Sequence, residues 1–380
     1  MASVEEDGTA AAAEQIGSMS LGESVKSKSE PENNEDADKN GPPAKRRRGK
    51  RDRDPNARKA AKKFCSACGK KSDTAKKCTA CKCVWYCDKD CQNKHWKEHK
   101  KECKPIKKVL EIRGGNLDLG EEMDLGPLSS LPPREECPIC MHALPIHPML
   151  SSYDACCGKI TCRACGFLHQ RKSRELAAER GHSPGPSTCA FCRTVVPTSP
   201  EEILARLRKR VKLNDPVALC NLAMEYGYGD LGIPVDPNKC IDLLRQSAGL
   251  GYPDAQWQLG NFYHNGEMGL ERNKEEALRF YKEAGKGGFL SSLYNLGCSQ
   301  AESGDHIAGM CHWRLSASGG YRASMGNLII CFQRGLLHHD DLAKTLQAMY
   351  RSRAEMRSED RVKFIEHLKN IGEYDEDYDL

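Results

Sequence analysis

Apolar side chains recur at helical spacing over the C-terminal half of the chain, from about residue 202 onward. The units in which they recur start 37, 37 and 32 residues apart. Such a period is typical of stacked helix pairs, each of which buries its apolar face only against its neighbours. The pattern predicts an all-α solenoid over residues 202–336. The positions that set its register are Ala218, Leu222, Ala223 and Tyr226, then Ala255, Leu259, Gly260 and Tyr263, then Ser292, Leu296 and Gly297, and last Ser324, Leu328, Ile329 and Phe332.

A second helical segment follows each of the first three units and ends at a glycine, at Gly251, Gly288 and Gly320. Glycine suits these positions because the residue after a helix is often left-handed. Across roughly residues 214–336 the pattern resembles Sel-one-like repeats, relatives of the tetratricopeptide repeat. The resemblance implies a concave surface on which other proteins dock. We expect residues 337–380 to form a helical cap and an acidic tail.

Four ligand pairs crowd residues 65–103, a segment too short to build an apolar core. Zinc binds four thiolate or imidazole ligands, and pairs two or three residues apart can hold the same ion. We therefore predict two zinc ions here. The spacing alone does not exclude Cys83 and His95 as zinc ligands, because cysteine and histidine residues recur every four positions along one face of a helix. The pairs are Cys65 with Cys68, Cys78 with Cys81, Cys87 with Cys91, and His99 with Cys103.

This spacing, with Tyr86 before the third pair and His95-Trp96 before the fourth, resembles the MYND zinc finger over its whole length, within a domain of residues 63–105. The resemblance implies that the pairs interleave and that His99, rather than His95, is the histidine ligand. It also implies a site for short proline-containing peptides. One zinc would be held by Cys65, Cys68, Cys87 and Cys91, the other by Cys78, Cys81, His99 and Cys103, and a peptide would add to the strand near Val84 and Trp85 beside Gln92 and Trp96.

A second cysteine framework spans residues 135–196, after a predicted linker at residues 106–134. It begins with Cys137-Pro138-Ile139-Cys140, continues with Cys156-Cys157 and Cys162-Arg163-Ala164-Cys165, and ends with Cys189-Ala190-Phe191-Cys192. This order of eight cysteines resembles an all-cysteine RING finger, a small fold in which two zinc sites are cross-braced. Adjacent cysteines replace the usual third pair, and a sharp turn at Gly158 is needed to aim both at one ion. The alternative is that only one of these cysteines binds and that His147, His169 or His182 completes the site. The resemblance implies one zinc on Cys137, Cys140, Cys162 and Cys165, and another on Cys156, Cys157, Cys189 and Cys192.

Residues 1–62 lack apolar periodicity, and we predict that they are disordered. Within them a basic cluster at residues 45–51 is typical of segments that a nuclear import receptor binds, although a solvated charge run has the same composition. The chain has 21 cysteines but neither a signal peptide nor an apolar run near 18 residues. We therefore expect reduced thiols in a nuclear protein, which could also be cytoplasmic, with no membrane partner. A role in nucleic-acid binding is disfavoured, because no aromatic residue interrupts the basic segment.

Together these features predict a multidomain zinc-binding adaptor for other proteins, made of two small fingers and a helical solenoid. The alternative function is a RING-type ubiquitin ligase, in which Ile139 contacts the conjugating enzyme and Arg193 contacts ubiquitin. No other catalytic constellation is present, and no methyltransferase domain accompanies the MYND finger. We expect the fingers and the repeats to be separate units, so that a chelator unfolds residues 65–192 and leaves the helices largely intact.

Overall fold

The computed structural model describes residues 63–112, 114, 130–183 and 185–374. The predicted tail at residues 1–62, with its basic cluster, lies outside the described residues, as do residues 115–129 of the predicted linker and residues 375–380 of the acidic tail. Among the described helices, none combines the length and the apolar character that a membrane span requires.

The described part contains short strands in the cysteine-rich regions and helices from there to the C-terminal region. The strands are β1 (Lys63–Phe64), β2 (Lys71–Ser72), β3 (Lys76–Lys77), β4 (Trp85–Tyr86), β5 (Ser151–Asp154) and β6 (Lys159–Cys162). The α-helices are α1 (Lys89–Ile112), α2 (Arg163–Glu179), α3 (Pro200–Val211), α4 (Pro216–Tyr228), α5 (Pro237–Gly249), α6 (Pro253–Asn265), α7 (Lys274–Lys286), α8 (Leu290–Glu302), α9 (His306–Ser318), α10 (Arg322–Gln333), α11 (His339–Met356) and α12 (Glu359–Asn370).

The first cysteine-rich region consists of two antiparallel strand pairs, β1–β2 and β3–β4, followed by α1. A carboxylate oxygen of Asp88 accepts a 2.7 Å hydrogen bond from the backbone N–H of Cys91, at the beginning of the helix. The helix then continues to Ile112, into the segment predicted as a linker. It does so because Ile106 and Leu110 are buried and give its last turns an apolar face.

The second cysteine-rich region is built on the antiparallel hairpin β5–β6, in which Ser151 lies opposite Cys162. Helix α2 follows directly. Two isolated bridges, Glu136 with Ala143 and Thr188 with Val195, close the loops that carry the first and the last cysteine pairs. The fold is therefore fixed by one hairpin, one helix and the cysteine loops, with a small apolar core.

The C-terminal helices stack in chain order as pairs α4–α5, α6–α7 and α8–α9, and α10 follows. In the second and third pairs, a large aromatic side chain of the second helix lies on a glycine of the first helix. A Cβ placed on Gly260 would come within 2.6 Å of Tyr281, and one placed on Gly297 would come within 2.6 Å of Trp313. The predicted helical solenoid is thus confirmed, and the small residues in its register are the places where paired helices approach most closely.

The two fingers and the repeats are not separate units, contrary to our expectation. Ile106 of α1 belongs to the same apolar cluster as Leu328 of α10 and Leu346 of α11. Leu150 of the second finger belongs to a cluster with Phe364 of α12. Residues that are far apart in sequence therefore share two cores, and the helices expected to be only a cap hold both fingers.

The second finger also contacts the beginning of the solenoid. The hydroxyl of Tyr153 donates a 2.7 Å hydrogen bond to a carboxylate oxygen of Asp215, the residue that caps α4. The segment that precedes the second finger lies along the repeats. Its Arg134 donates hydrogen bonds to the backbone oxygen of Gly319 and, at 2.7 Å, to the hydroxyl of Ser352. The second finger and the segment before it thus contact the repeats at Asp215, which caps α4, and at Gly319, just after α9.

Candidate zinc centres

Four clusters of ligand atoms form in the described residues, and within each cluster the ligand atoms lie within 4.8 Å of one another. Their membership coincides with the four sets assigned above: Cys65, Cys68, Cys87 and Cys91; Cys78, Cys81, His99 and Cys103; Cys137, Cys140, Cys162 and Cys165; and Cys156, Cys157, Cys189 and Cys192. All of these cysteines are free thiols.

The sulfur separations are those of a metal site rather than of a disulfide. Sulfur atoms at tetrahedral positions about 2.3 Å from zinc lie about 3.8 Å apart, whereas a disulfide brings them to about 2.0 Å. The sulfurs of Cys68 and Cys87 are 3.8 Å apart, and so are those of Cys78 and Cys103. The donor sets and their spacing therefore fit Zn²⁺.

In the second MYND cluster the histidine is His99 and not His95. Nε2 of His99 lies 3.5 Å from the sulfur of Cys81. His95 instead pairs through Nδ1 with the hydroxyl of Tyr86 at 3.0 Å. Burial lowers the pKa of His95 to about 4, so its ring is neutral at physiological pH. Cys83 is buried but outside the cluster, with its thiol 3.2 Å from the backbone oxygen of Cys81.

The adjacent cysteines of the second finger both reach one cluster because the chain turns sharply after β5. The backbone oxygen of Asp154 accepts hydrogen bonds from the N–H of Cys157 at 3.1 Å and from that of Gly158 at 2.7 Å. Gly158 has φ +71°, a left-handed conformation that glycine adopts without strain. The turn aims Cys156 and Cys157 at Cys189 and Cys192.

The three histidines considered as alternative ligands are not part of any cluster in the described residues. A ring nitrogen of His169 lies 2.9 Å from the hydroxyl of Thr188, and its other nitrogen lies 2.7 Å from the guanidinium of Arg193. His147 accepts a 3.3 Å hydrogen bond from the backbone N–H of Met149 and so caps the 3-10 helix Pro148–Leu150. The remaining alternative, His182, lies just beyond the end of α2.

Each cluster contains a thiol that ionises more easily than an isolated cysteine. Hydrogen bonds from neighbouring groups lower the pKa of Cys81, lower that of Cys162 to about 4 and lower that of Cys192 to about 6. Burial opposes ionisation of Cys65, but backbone hydrogen bonds lower its pKa to about 7.

In each cluster another thiol resists ionisation. Hydrogen bonding to the neighbouring thiolate raises the pKa of Cys103 and Cys165, and burial raises that of Cys91 and Cys156. Several thiolates at this spacing repel one another, and a bound cation removes the repulsion. The electrostatics of the clusters therefore also fit a divalent metal ion.

The predicted peptide residues lie at the surface of the MYND finger with one exception. Val84 is fully buried, whereas Trp96 is 42% exposed, and Trp85 and Gln92 are half-buried. The backbone of Trp85 is already paired with Lys77 on one side, and its oxygen accepts a 2.8 Å hydrogen bond from the N–H of Ser66. An added strand at this position would compete with both pairings, so the available contacts are those of side chains.

The two residues assigned to ubiquitin transfer also lie at the surface. Ile139 is 38% exposed between the first cysteine pair. Arg193 is exposed and follows the last cysteine with φ +65°, and its guanidinium contacts His169.

Sequence reasoning missed a set of C-terminal side chains that contact the zinc-binding loops. The hydroxyl of Tyr350 lies 3.2 Å from Nδ1 of His99, and Gln347 donates a 2.6 Å hydrogen bond to the backbone oxygen of Cys83. Arg361 of α12 lies 3.5 Å from the sulfur of Cys140. No spacing rule could identify these residues, because they are more than 200 positions away from the residues they contact.

Comparison with known families identifies two of these regions. Residues 65–103 match the family model of the MYND finger. Residues 216–252 and 253–289 match the Sel1 repeat. The predicted MYND finger and the predicted repeats are therefore confirmed, and the finger is a zinc-binding module.

Similarity to curated proteins is confined to short segments. SET domain-containing protein 14 of Caenorhabditis elegans is 38% identical over 63 residues, which are 17% of this chain and 15% of that protein. Histone-lysine N-methyltransferase ASHR1 of Arabidopsis thaliana is 44% identical over 45 residues, 12% of this chain and 9% of that protein. Histone-lysine N-methyltransferase Smyd1 of Mus musculus is 38% identical over 55 residues, 14% of this chain and 11% of that protein. The chain thus spans only a small part of these relatives.

Two solved structures are similar to the repeats. A Sel1 repeat protein from Oxalobacter formigenes is 26% identical, with 33% of this chain and 97% of that chain covered and a TM-score of 0.31. The protein c5321 of uropathogenic Escherichia coli, described as a protective antigen with an SLR fold, is 19% identical, with 46% of this chain and 37% of that chain covered and a TM-score of 0.34.

Proposed function

We propose that this protein is a zinc-braced adaptor whose MYND finger binds short proline-containing peptides. The observation that carries this proposal is the position of Trp96. Its ring is 42% exposed and lies 6.2 Å from that of His99 on the same helix. Cys91, His99 and Cys103 all lie on α1, so the two zinc centres hold this helix, and its exposed aromatic side chain is presented without a large loss of conformational entropy on binding.

The surroundings of Trp96 suit an extended ligand rich in proline. Such peptides dock against aromatic side chains, and their preformed conformation costs little entropy to bind. Gln92 lies one helical turn before Trp96 and offers both a donor and an acceptor to a peptide backbone. At Trp85, the other aromatic residue of the predicted peptide site, Lys63 lies 4.4 Å from the ring centre and Lys77 lies 5.2 Å from it. These cations favour an acidic residue beside the prolines.

A peptide array tests the proposal directly. The zinc-loaded full-length protein is applied to short peptides that differ in the number and spacing of prolines, with and without acidic neighbours, and binding to selected peptides is then measured by fluorescence anisotropy. We expect Trp96→Ala to weaken binding by about tenfold or more, as removal of a central aromatic contact usually does. Phe191→Ala is the matched control, because Phe191 is 43% exposed but lies in the other finger. Equal binding by wild type and Trp96→Ala would refute the site.

A ubiquitin ligase is the second candidate, and the exposure of Ile139 and Arg193 favours it. A RING ligase works by holding a charged conjugating enzyme in a productive orientation, which requires surface side chains rather than an open metal position. Incubation with ubiquitin, activating enzyme and a panel of conjugating enzymes tests this function. Chain formation that is lost in Ile139→Ala and Arg193→Ala but kept in Met141→Ala would support it, since Met141 is 67% exposed on the same loop. Absence of chains with every conjugating enzyme would reject it.

We also propose that the protein is nuclear, through binding of the basic cluster at residues 45–51 to an import receptor. The support is the sequence itself, in which Lys and Arg fill six of these seven positions after two prolines. Deletion of residues 45–53 from a fluorescent fusion should abolish nuclear accumulation. Unchanged accumulation in the deletion variant would contradict the proposal.

A further inference from the structure

The C-terminal helices α11 and α12 contact a ligand residue in each finger. Tyr350 of α11 lies beside His99 in the MYND finger, and Arg361 of α12 lies beside Cys140 in the second finger. Both side chains are almost fully buried, with 2% of each exposed. We infer that Tyr350 and Arg361 are positioning residues of the zinc centres, and that this helix pair slows the loss of zinc from both fingers.

The first contact orients the histidine ligand. Because Nε2 of His99 faces the cysteines, Nδ1 carries the ring proton when zinc is bound. This N–H group then donates a 3.2 Å hydrogen bond to the hydroxyl oxygen of Tyr350. The same hydroxyl donates a 2.7 Å hydrogen bond to a carboxylate oxygen of Glu102. A ligand histidine whose second nitrogen is held in this way keeps its tautomer and its ring orientation, and it is a better donor to the metal.

Two further bonds from α11 hold the backbone that carries Cys81. Nε2 of His339 lies 2.9 Å from the backbone oxygen of Cys81, and Gln347 bonds the oxygen of Cys83. Carbonyl oxygens in buried loops need donors, and here the donors come from the C-terminal region rather than from the finger itself. Departure of α11 would therefore leave both the histidine ligand and the adjacent cysteine loop less ordered.

The second contact is electrostatic. Zinc bound by four thiolates leaves a net negative charge, which a buried cation next to one sulfur offsets. Arg361 lies 3.5 Å from the sulfur of Cys140, and it also donates 2.6 Å hydrogen bonds to the backbone oxygens of Ala143 and Met356. These bonds fix the guanidinium between the loop that bears the cysteine and the end of α11. Arg361 thus joins the metal site of one finger to the helix pair that contacts the other.

Zinc release from the full-length protein tests the inference. The protein is loaded with zinc, and native mass spectrometry counts the zinc ions bound to each chain. Release of these ions is then followed with the chromogenic chelator 4-(2-pyridylazo)resorcinol. We expect Tyr350→Phe, which keeps the ring and removes only the hydroxyl, to speed the release of one of the four ions by about tenfold. Arg361→Met should speed the release of another. Arg361→Lys should release that ion more slowly than Arg361→Met does, because it keeps the charge.

Two variants serve as matched controls. Tyr281→Phe removes a buried hydroxyl that bonds Asn261 within the repeats. Arg206→Met removes an arginine that donates a 2.8 Å hydrogen bond to the backbone of the second finger at Val195 and touches no ligand sulfur. Wild-type release rates in both controls are expected.

Two results would overturn the inference. One is a wild-type release rate in Tyr350→Phe, and this variant is decisive even if Arg361→Met does not fold. The other is equal acceleration of all four ions in the variants and the controls, which is the signature of general destabilisation. The inference rests on the zinc centres of the proposed function, and the two can fail separately. Fewer than four ions in the wild type would contradict the zinc centres on which the proposed adaptor depends. Four ions with unchanged release rates in the variants would reject only the role of α11 and α12.

Discussion

The rings of His95 and His99 stack with their centres 5.8 Å apart and their planes 11° from parallel, yet only His99 reaches a cysteine cluster. The two residues lie one helical turn apart on α1 and face the same side. His95 is held away from the metal by Tyr86, and its Nε2 lies 3.7 Å from Glu98. Two equivalent positions in the sequence therefore have different roles, one as a ligand and one as a buried polar contact.

Substitution of the two histidines separates these roles. We expect His99→Ala to bind three zinc ions, because its cluster loses one of four ligands, and His95→Gln to bind all four. Native mass spectrometry counts the ions in each variant. Removing His95 should still lower the free energy of unfolding by about 1–3 kcal/mol, since the buried hydroxyl of Tyr86 loses its partner. Four ions in His99→Ala would show that this histidine is not a ligand.

The adjacent cysteines of the second finger allow a similar experiment. Each of Cys156→Ser and Cys157→Ser should bind three zinc ions, because both sulfurs belong to one cluster. Cys83→Ala is the control, since this cysteine is likewise free of a disulfide but lies outside every cluster of the described residues. It should bind four ions. If only one of the adjacent cysteines affects the count, the fourth ligand must come from elsewhere.

The parts of the structure that the sequence predicted are those in which the relevant residues are close in the chain. The two ligands of a pair, such as Cys65 and Cys68, are close enough in the chain to reach the same ion. The regular spacing of equivalent positions, such as Leu222 and Leu259, follows from the stacking of helix pairs. The docking of the fingers onto α11 and α12 could not be predicted in this way. It depends on contacts such as that of Tyr350 with His99, for which the chain spacing of 251 residues carries no signal. The predicted strand addition beside Val84 stays a prediction, and an added strand would have to compete with the hydrogen bond that Ser66 makes with the neighbouring backbone.

Two helix glycines give a test of the repeat packing. Gly297→Ala should lower the free energy of unfolding by about 1–3 kcal/mol, because the new Cβ would lie 2.6 Å from the buried ring of Trp313. Gly326→Ala is the matched control, as it also lies within a helix and has no atom within 4 Å of the added Cβ. It should raise the free energy of unfolding by about 0.5–1 kcal/mol, because alanine favours the helix. Urea unfolding followed by circular dichroism measures both changes. Equal effects of the two substitutions would contradict the described contact between Gly297 and Trp313.

Zinc removal should affect the C-terminal helices as well as the fingers. If docking of α11 and α12 raises the zinc affinity of the fingers, then bound zinc must stabilise the docked helices by the same free energy. We expect a chelator to increase hydrogen exchange at the amides of α10, α11 and α12, which share apolar clusters with the fingers. Amides of α5 and α6 serve as an internal control, because Leu244 and Phe262 pack in a cluster made only of repeat residues. Exchange that rises only within residues 65–192 would mean that the fingers unfold without disturbing the helices, and that the shared cores contribute little to the stability of either.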